Sequence, residues 1–148
     1  MPDVHAELLV DAPPAHVYAL AKKVEDFPEF LPNVEQVVVR TREGDRTVTE
    51  WVGTVPEFRR TIRWVEEDVW EDASRRCAFR AISGDWDRYE GAWQFHAEGE
   101  GTRVVLDIDY DYNVPLIGPL IKKLLRKLVE RNANETLDGL RRRALGEI

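Results

Sequence analysis

The feature that most narrows the fold is a change of hydrophobic period, first at Val34 and again after Pro115. From Val34 to Tyr112 apolar side chains recur every second position, the signature of half-buried strands; beyond Pro115 they recur every third and fourth, as on a helix. Six period-two segments are legible: Val34 to Thr41, Arg46 to Thr54, Phe58 to Trp70, Arg75 to Ile82, Trp86 to His96 and Thr102 to Tyr112. Turn-forming runs such as Glu43-Gly44-Asp45, Ser83-Gly84-Asp85 and Glu98-Gly99-Glu100-Gly101 separate them. A seventh strand, Val4 to Val10, precedes these. Asp11 then stands where a helix N-cap belongs, with Pro13 and Pro14 at the first helical positions, where a missing N–H costs nothing. The helix runs to about Ala21 on a stripe of Val17, Leu20, Ala21 and Val24. Two prolines limit Asp26 to Asn33 to a turn or a very short helix.

The last helix, about thirty residues by its pattern, carries Ile117, Ile121, Leu124, Leu128, Leu137, Leu140 and Ala144 on one broad stripe. Strand, two short helices, six strands, long helix: this order predicts an α+β fold. A curved seven-stranded antiparallel sheet wraps around the long C-terminal helix, with the two short helices between the first and second strands. At 148 residues the chain fits a single domain, 1–148.

Composition excludes several classes. With 43% apolar and 33% charged residues the chain is neither disordered nor fibrous, and the lone Cys77 forms no internal disulfide. No run approaches the 18 apolar residues of a membrane span, and Met1-Pro2-Asp3-Val4-His5 lacks the pattern of a secretory signal, so a cytoplasmic protein is expected. A net charge of −7 opposes nucleic-acid binding. From Pro115 onward, however, eight basic residues face four acidic ones. Lys122, Lys123, Arg126, Lys127 and Arg131 lie beside the apolar run Pro115 to Leu120. They form either a solvated basic face or a surface for transient contact with an anionic membrane.

Candidate site residues follow from strand alternation. Phe58, Arg60, Ile62, Trp64, Glu66, Asp68 and Trp70 share one face of their strand, and the aromatic face is the one to bury. Glu66 and Asp68 then go inward with Trp64. Either they anchor a ligand inside an apolar pocket, with the Glu66 pKa raised by burial, or the strand twists and they reach solvent or pair with Arg60. Trp51, Phe79, Tyr89, Trp93, Phe95 and Tyr110 fall on inner faces too. Phe27, Phe30 and Leu31 either plug the core or rim an opening. Leu128 and, four residues on, Asn132 lie on the helix stripe. No metal or cofactor is expected: His5, His16 and His96 are isolated, there is no phosphate loop, and the Asp107, Asp109, Asp111 triplet lacks the glycine and glutamate of a calcium loop.

Val10 to Tyr18 (VDAPPAHVY), Phe27 to Pro32 (FPEFLP), Arg88 to Phe95 (RYEGAWQF) and Gly101 to Val104 (GTRV) resemble the START-like (SRPBCC, helix-grip) superfamily. Within it they look like the coenzyme Q-binding and polyketide cyclase/dehydrase branches. The resemblance implies a cavity between sheet and long helix that binds or transports a hydrophobic small molecule or lipid, such as a polyprenyl quinone. Its candidate contacts are Phe27, Phe30, Leu31, Trp51, Ile62, Trp64, Glu66, Phe79, Tyr89, Trp93, Tyr110, Leu128 and Asn132. The alternatives are a cyclase or dehydratase on a hydrophobic substrate, with Glu66 as acid/base, and a protein-interaction module. Aromatase/cyclases of the superfamily use an Arg after a Trp and a Tyr in the early loop. This sequence departs from that pattern, with Val65-Glu66-Glu67-Asp68 after Trp64 and Val34 in the loop.

Overall fold

The computed structural model describes residues 3–55, 57, 59–112 and 119–148. Strand β1 (Asp3–Val10) leads into helix α1 (Pro14–Lys22) and a 3₁₀ helix (Val24–Glu29). Strands β2 (Val34–Glu43), β3 (Arg46–Val55), β4 (Arg60–Glu71), β5 (Arg76–Gly84), β6 (Arg88–Glu98) and β7 (Gly101–Asp111) follow, and helix α2 (Pro119–Ala144) comes last. All seven strands form one antiparallel sheet in the order β1-β7-β6-β5-β4-β3-β2. Only β1 leaves the meander, pairing with β7 from Asp3↔Asp109 to Val10↔Thr102. Helix α2 packs on β1, β7 and α1, so the sheet's inner face and the helix enclose the core. Among the described residues, no helix is long and apolar enough to cross a membrane.

The period-two pattern explains the sheet directly: along β7, Val104, Leu106, Ile108 and Tyr110 are buried while Arg103, Asp107 and Asp109 are partly exposed. The β2–β3 hairpin closes on Gly44-Asp45, with Glu43 opposite Arg46 and Gly44 at φ 58°, a conformation that glycine adopts without a Cβ clash.

Two local expectations are corrected. Asp11 does not cap α1. The Thr102 hydroxyl donates to the Ala12 carbonyl at 2.7 Å, and Val10 and Ala12 are buried, which leaves Asp11 exposed and too early in the chain. The N-cap position is Pro13, whose carbonyl accepts from the His16 and Val17 N–H groups. The phase of the α2 stripe also differs. Counting back from the buried Leu137 and Leu140 by threes and fours passes through Ala133, Val129 and Leu125, whereas Ile121 and Leu124 are 37% and 39% exposed. A stripe drawn from both ends of so long a helix does not keep a single face, because a period of 3.6 drifts against it. Ile117, the run Pro115 to Gly118 and Phe58 lie outside the described residues.

Candidate functional site

Between the sheet and α2 lies a cavity of about 140 Å³, close to the volume of an engineered chamber that admits one benzene ring. Its walls come from β2 to β7, the 3₁₀ segment and α2. The chain has five tryptophans, and Trp51, Trp64, Trp70, Trp86 and Trp93 all line it. Phe79 and Tyr89 complete an aromatic lining in which Trp51 stacks on Trp64, and Trp86 on Tyr89, with centroids 5.8 and 4.9 Å apart.

Strand β4 delivers the polar groups. Ile62, Glu66, Asp68 and Trp70 are all buried on its inner face, beside the half-buried Trp64. Arg60 turns away and donates to the Tyr112 hydroxyl at 2.7 Å, so it does not pair with Glu66. Instead the Trp64 indole N–H donates to Glu66 Oε1 at 2.8 Å. Asp68 accepts from the hydroxyls of Thr49 (2.8 Å) and Thr47 (3.3 Å), and the Trp51 indole N–H donates to Thr49 Oγ1 at 2.7 Å. Among the described residues, every donor to the pair is a neutral group. Burial, then the neighbouring Asp68 charge and a hydrogen bond to Asp68, raise the Glu66 pKa well above the usual carboxylate range, against a smaller opposing effect of the Trp64 bond. Cys77, also lining the cavity, has its thiol pKa pushed up by burial and by the Asp68 and Glu66 charges, which holds it as an inert thiol.

Thr49, fully buried, links Trp51 to Asp68. Thr49→Val keeps the shape but leaves an indole N–H unpaired and removes a donor from a buried carboxylate. The expected loss is about 1–3 kcal/mol, measured by denaturant unfolding; an unchanged midpoint would show that water replaces the hydroxyl.

Trp86 reaches the cavity by a route that strand alternation does not reveal. The expected strand starting there begins instead at Arg88. Gly84 sits at φ 118°, the Asp85 N–H bonds the Arg63 carbonyl at 2.8 Å, the Asp85 carboxylate accepts from the Arg63 N–H, and the Asp87 N–H bonds the Asp111 carbonyl at 2.9 Å. With both neighbours pinned outside, Trp86 packs edge-on to Trp64, Tyr110 and Tyr112. Its indole N–H is buried with no hydrogen-bond partner among the described residues.

Of the thirteen residues singled out in the sequence, Phe27, Leu31, Trp51, Ile62, Trp64, Glu66, Phe79, Tyr89, Trp93, Leu128 and Asn132 line the cavity. Phe30 and Tyr110 do not. Phe30 packs edge-on to Phe27 at 5.5 Å and under the Arg143 guanidinium at 5.4 Å, while Tyr110 is 2% exposed and lies behind Trp86. Phe27 and Leu31 are buried plugs of the wall. Asn132 is exposed and lies at a mouth shared with Asn33, Glu57 and Arg131, where an Arg131–Glu57 ion pair and an Asn33–Glu135 hydrogen bond tie α2 to the sheet side. Sequence reading missed Trp86, the threonines behind Asp68, and Leu125, Val129 and Ala133 on α2. The Gly84-Asp85 turn was the available signal for Trp86.

The fold of the chain is similar to that of several solved structures. A solved protein of Thermus thermophilus superposes with a TM-score of 0.93 at 44% identity, over 98% of both chains. The Zhui aromatase/cyclase of Streptomyces sp. R1128 superposes at 0.87 with 20% identity, over 96% of this chain and 92% of that one. A START superfamily protein of Mycobacterium smegmatis does so at 0.80 with 17% identity, over 99% of both. In sequence, the actinorhodin polyketide synthase bifunctional cyclase/dehydratase of Streptomyces coelicolor is 28% identical over 106 residues, and the matched stretch spans 33% of that relative's length. The two low-identity superpositions speak for the helix-grip fold alone. The sequence profile of the polyketide cyclase/dehydrase and lipid transport family matches residues 10–136, nearly the whole chain and every strand beyond β1, and on that match the chain belongs to this family.

Proposed function

We propose that the chain binds a hydrophobic small molecule, one ring deep, between the sheet and α2, and acts as its carrier. The observation that carries this reading is the aromatic chamber with a buried, unpartnered Trp86 indole N–H, since buried donors in native proteins are almost always satisfied. A ligand oxygen would satisfy it. Family membership supports the same reading, because the family spans cyclases and lipid transport. A polyprenyl quinone fits if its ring enters and its chain leaves past Asn33 and Asn132, the volume being too small to enclose the tail. The exposed Leu120, Ile121 and Leu124 beside Lys122, Lys123, Arg126 and Lys127 would then meet an anionic membrane surface during transfer.

All five indoles line the chamber, so intrinsic fluorescence reports occupancy. Saturable quenching by a lipophilic ring probe is expected, and Trp64→Ala combined with Trp93→Ala should weaken it at least about tenfold while far-UV circular dichroism is retained. Undiminished binding by the folded double variant would remove the cavity reading. A second reading, a cyclase or dehydratase, is favoured by one observation: Glu66 is an acid of raised pKa facing the chamber. Native mass spectrometry separates the two, since a carrier retains its ligand unaltered, whereas turnover abolished by Glu66→Gln marks an enzyme.

A further inference from the structure

Glu66 and Asp68 are 5% and 2% exposed, and both line the cavity. Among the described residues neither has a Lys, Arg or His partner; their hydrogen bonds run to each other and from Trp64, Thr47 and Thr49. The cavity's basic residue, Arg131, is at the mouth and is engaged by Glu57 and Glu135. Buried carboxylates are ordinarily paired with a cation or coordinate one, because removing an ion from water costs several kcal/mol. A hydrogen bond joins the two carboxyl groups, and the pair as a whole has no cation beside it among the described residues. The surroundings are those that attract a cation. Rings of Trp64, Trp86 and Tyr89 pack together with mutual centroid distances of 4.9 to 6.2 Å, and Trp64 and Tyr89 lie next to Glu66. The Tyr89 hydroxyl lies near enough to Glu66 to feel its charge.

We infer that the chamber selects a ligand carrying a protonated amine on an apolar ring, with the ammonium seated between the Glu66–Asp68 pair, the Tyr89 hydroxyl oxygen and the faces of Trp64 and Trp86. The inference rests on the ring-binding reading above and adds the charge of the ligand. An ammonium supplies three N–H donors, enough for both carboxyl groups and the phenol oxygen. It also supplies the cation partner that buried carboxyl groups ordinarily have. The acidic balance of the chain, −7 overall, favours approach of such a ligand.

The test compares phenethylamine with 2-phenylethanol, which match in size and differ in charge at neutral pH, by calorimetry and tryptophan quenching on the full chain. The amine is expected to bind at least about tenfold more tightly, the scale of a charge-assisted hydrogen bond with cation–π support. In the uncharged double variant Glu66→Gln/Asp68→Asn the ratio of the two affinities should fall to about one. If the alcohol binds wild type as tightly as the amine, the inference fails while the ring-binding reading stands. If neither probe binds, both fail. The wild-type comparison decides the matter even if the double variant does not fold.

Discussion

Glu66→Gln is expected to be more stable than the wild type at alkaline pH, by a margin that grows as the pH rises. The raised pKa belongs to the folded state; in the unfolded chain Glu66 titrates near its ordinary value of 4.5. Between those two values the folded protein holds a proton that the unfolded chain has released, so raising the pH favours unfolding. The stability tied to the protonated carboxyl is therefore complete below 4.5 and lost progressively up to the folded value, at about 1.4 kcal/mol for each pH unit that separates the two. Gln carries no such titration. Its carbonyl still accepts from the Trp64 N–H and its amide donates toward Asp68, so the hydrogen bonds survive the change. Melting temperatures of the two proteins from about pH 4 to about pH 9 should diverge steadily, since other titrations are largely common to both. Parallel curves would mean that Glu66 is ionised in the folded state, and the account of the pair would be wrong.

Gly91→Ala should be among the most damaging single changes in the sheet, although it adds one methyl group. Gly91 lies in β6 opposite Phe79 of β5 and Ile108 of β7. A Cβ there would overlap the Asp107 carbonyl oxygen, a backbone atom of the neighbouring strand, and would meet Phe79 Cζ at 3.0 Å. Backbone atoms inside a paired ladder cannot move aside as a flexible side-chain end can, so β6 and β7 must separate or the strand must kink. A loss of about 3 kcal/mol or more follows, a fall of roughly 6–12 °C in Tm for a chain of this size. The same displacement shifts Phe79 and, through their 5.5 Å ring contact, Tyr89. Ring-probe affinity should therefore fall with stability. A Tm within about 2 °C of wild type would show that the sheet absorbs the methyl group.

Much of the architecture was legible because it rests on local periodicity. The alternation from Val34 to Tyr112 dictates strands, the Gly44 and Gly99 turns dictate hairpins, and a meander of hairpins fixes strand neighbours without long-range information. The same alternation put Ile62, Trp64, Glu66, Asp68 and Trp70 on one face of β4. Position 66 is acidic whichever way the strand turns. What alternation leaves open is whether that face stays inward over a twisted strand; in the folded sheet it does, with both carboxyl groups buried and lining the cavity.

Elsewhere the outcome depended on contacts between residues far apart in the chain. Asp11 has the chemistry of an N-cap, yet the bond from Thr102 to Ala12, ninety positions along, places it outside the helix. The α2 stripe was drawn through Ile121 and Leu124, but the docking of the helix selects Leu125, Val129 and Ala133. Trp86 belongs to no periodic segment and enters the cavity because Asp85 and Asp87 are pinned by Arg63 and Asp111 on two different strands. The strands, the long helix and the presence of acids among aromatics are already written in the order of residues, since each depends on neighbours two to four positions away. Which helix face closes the chamber, and how Trp86, Tyr89 and the Glu66–Asp68 pair meet, emerges with packing alone, because those contacts join side chains from separate strands whose approach no local rule encodes.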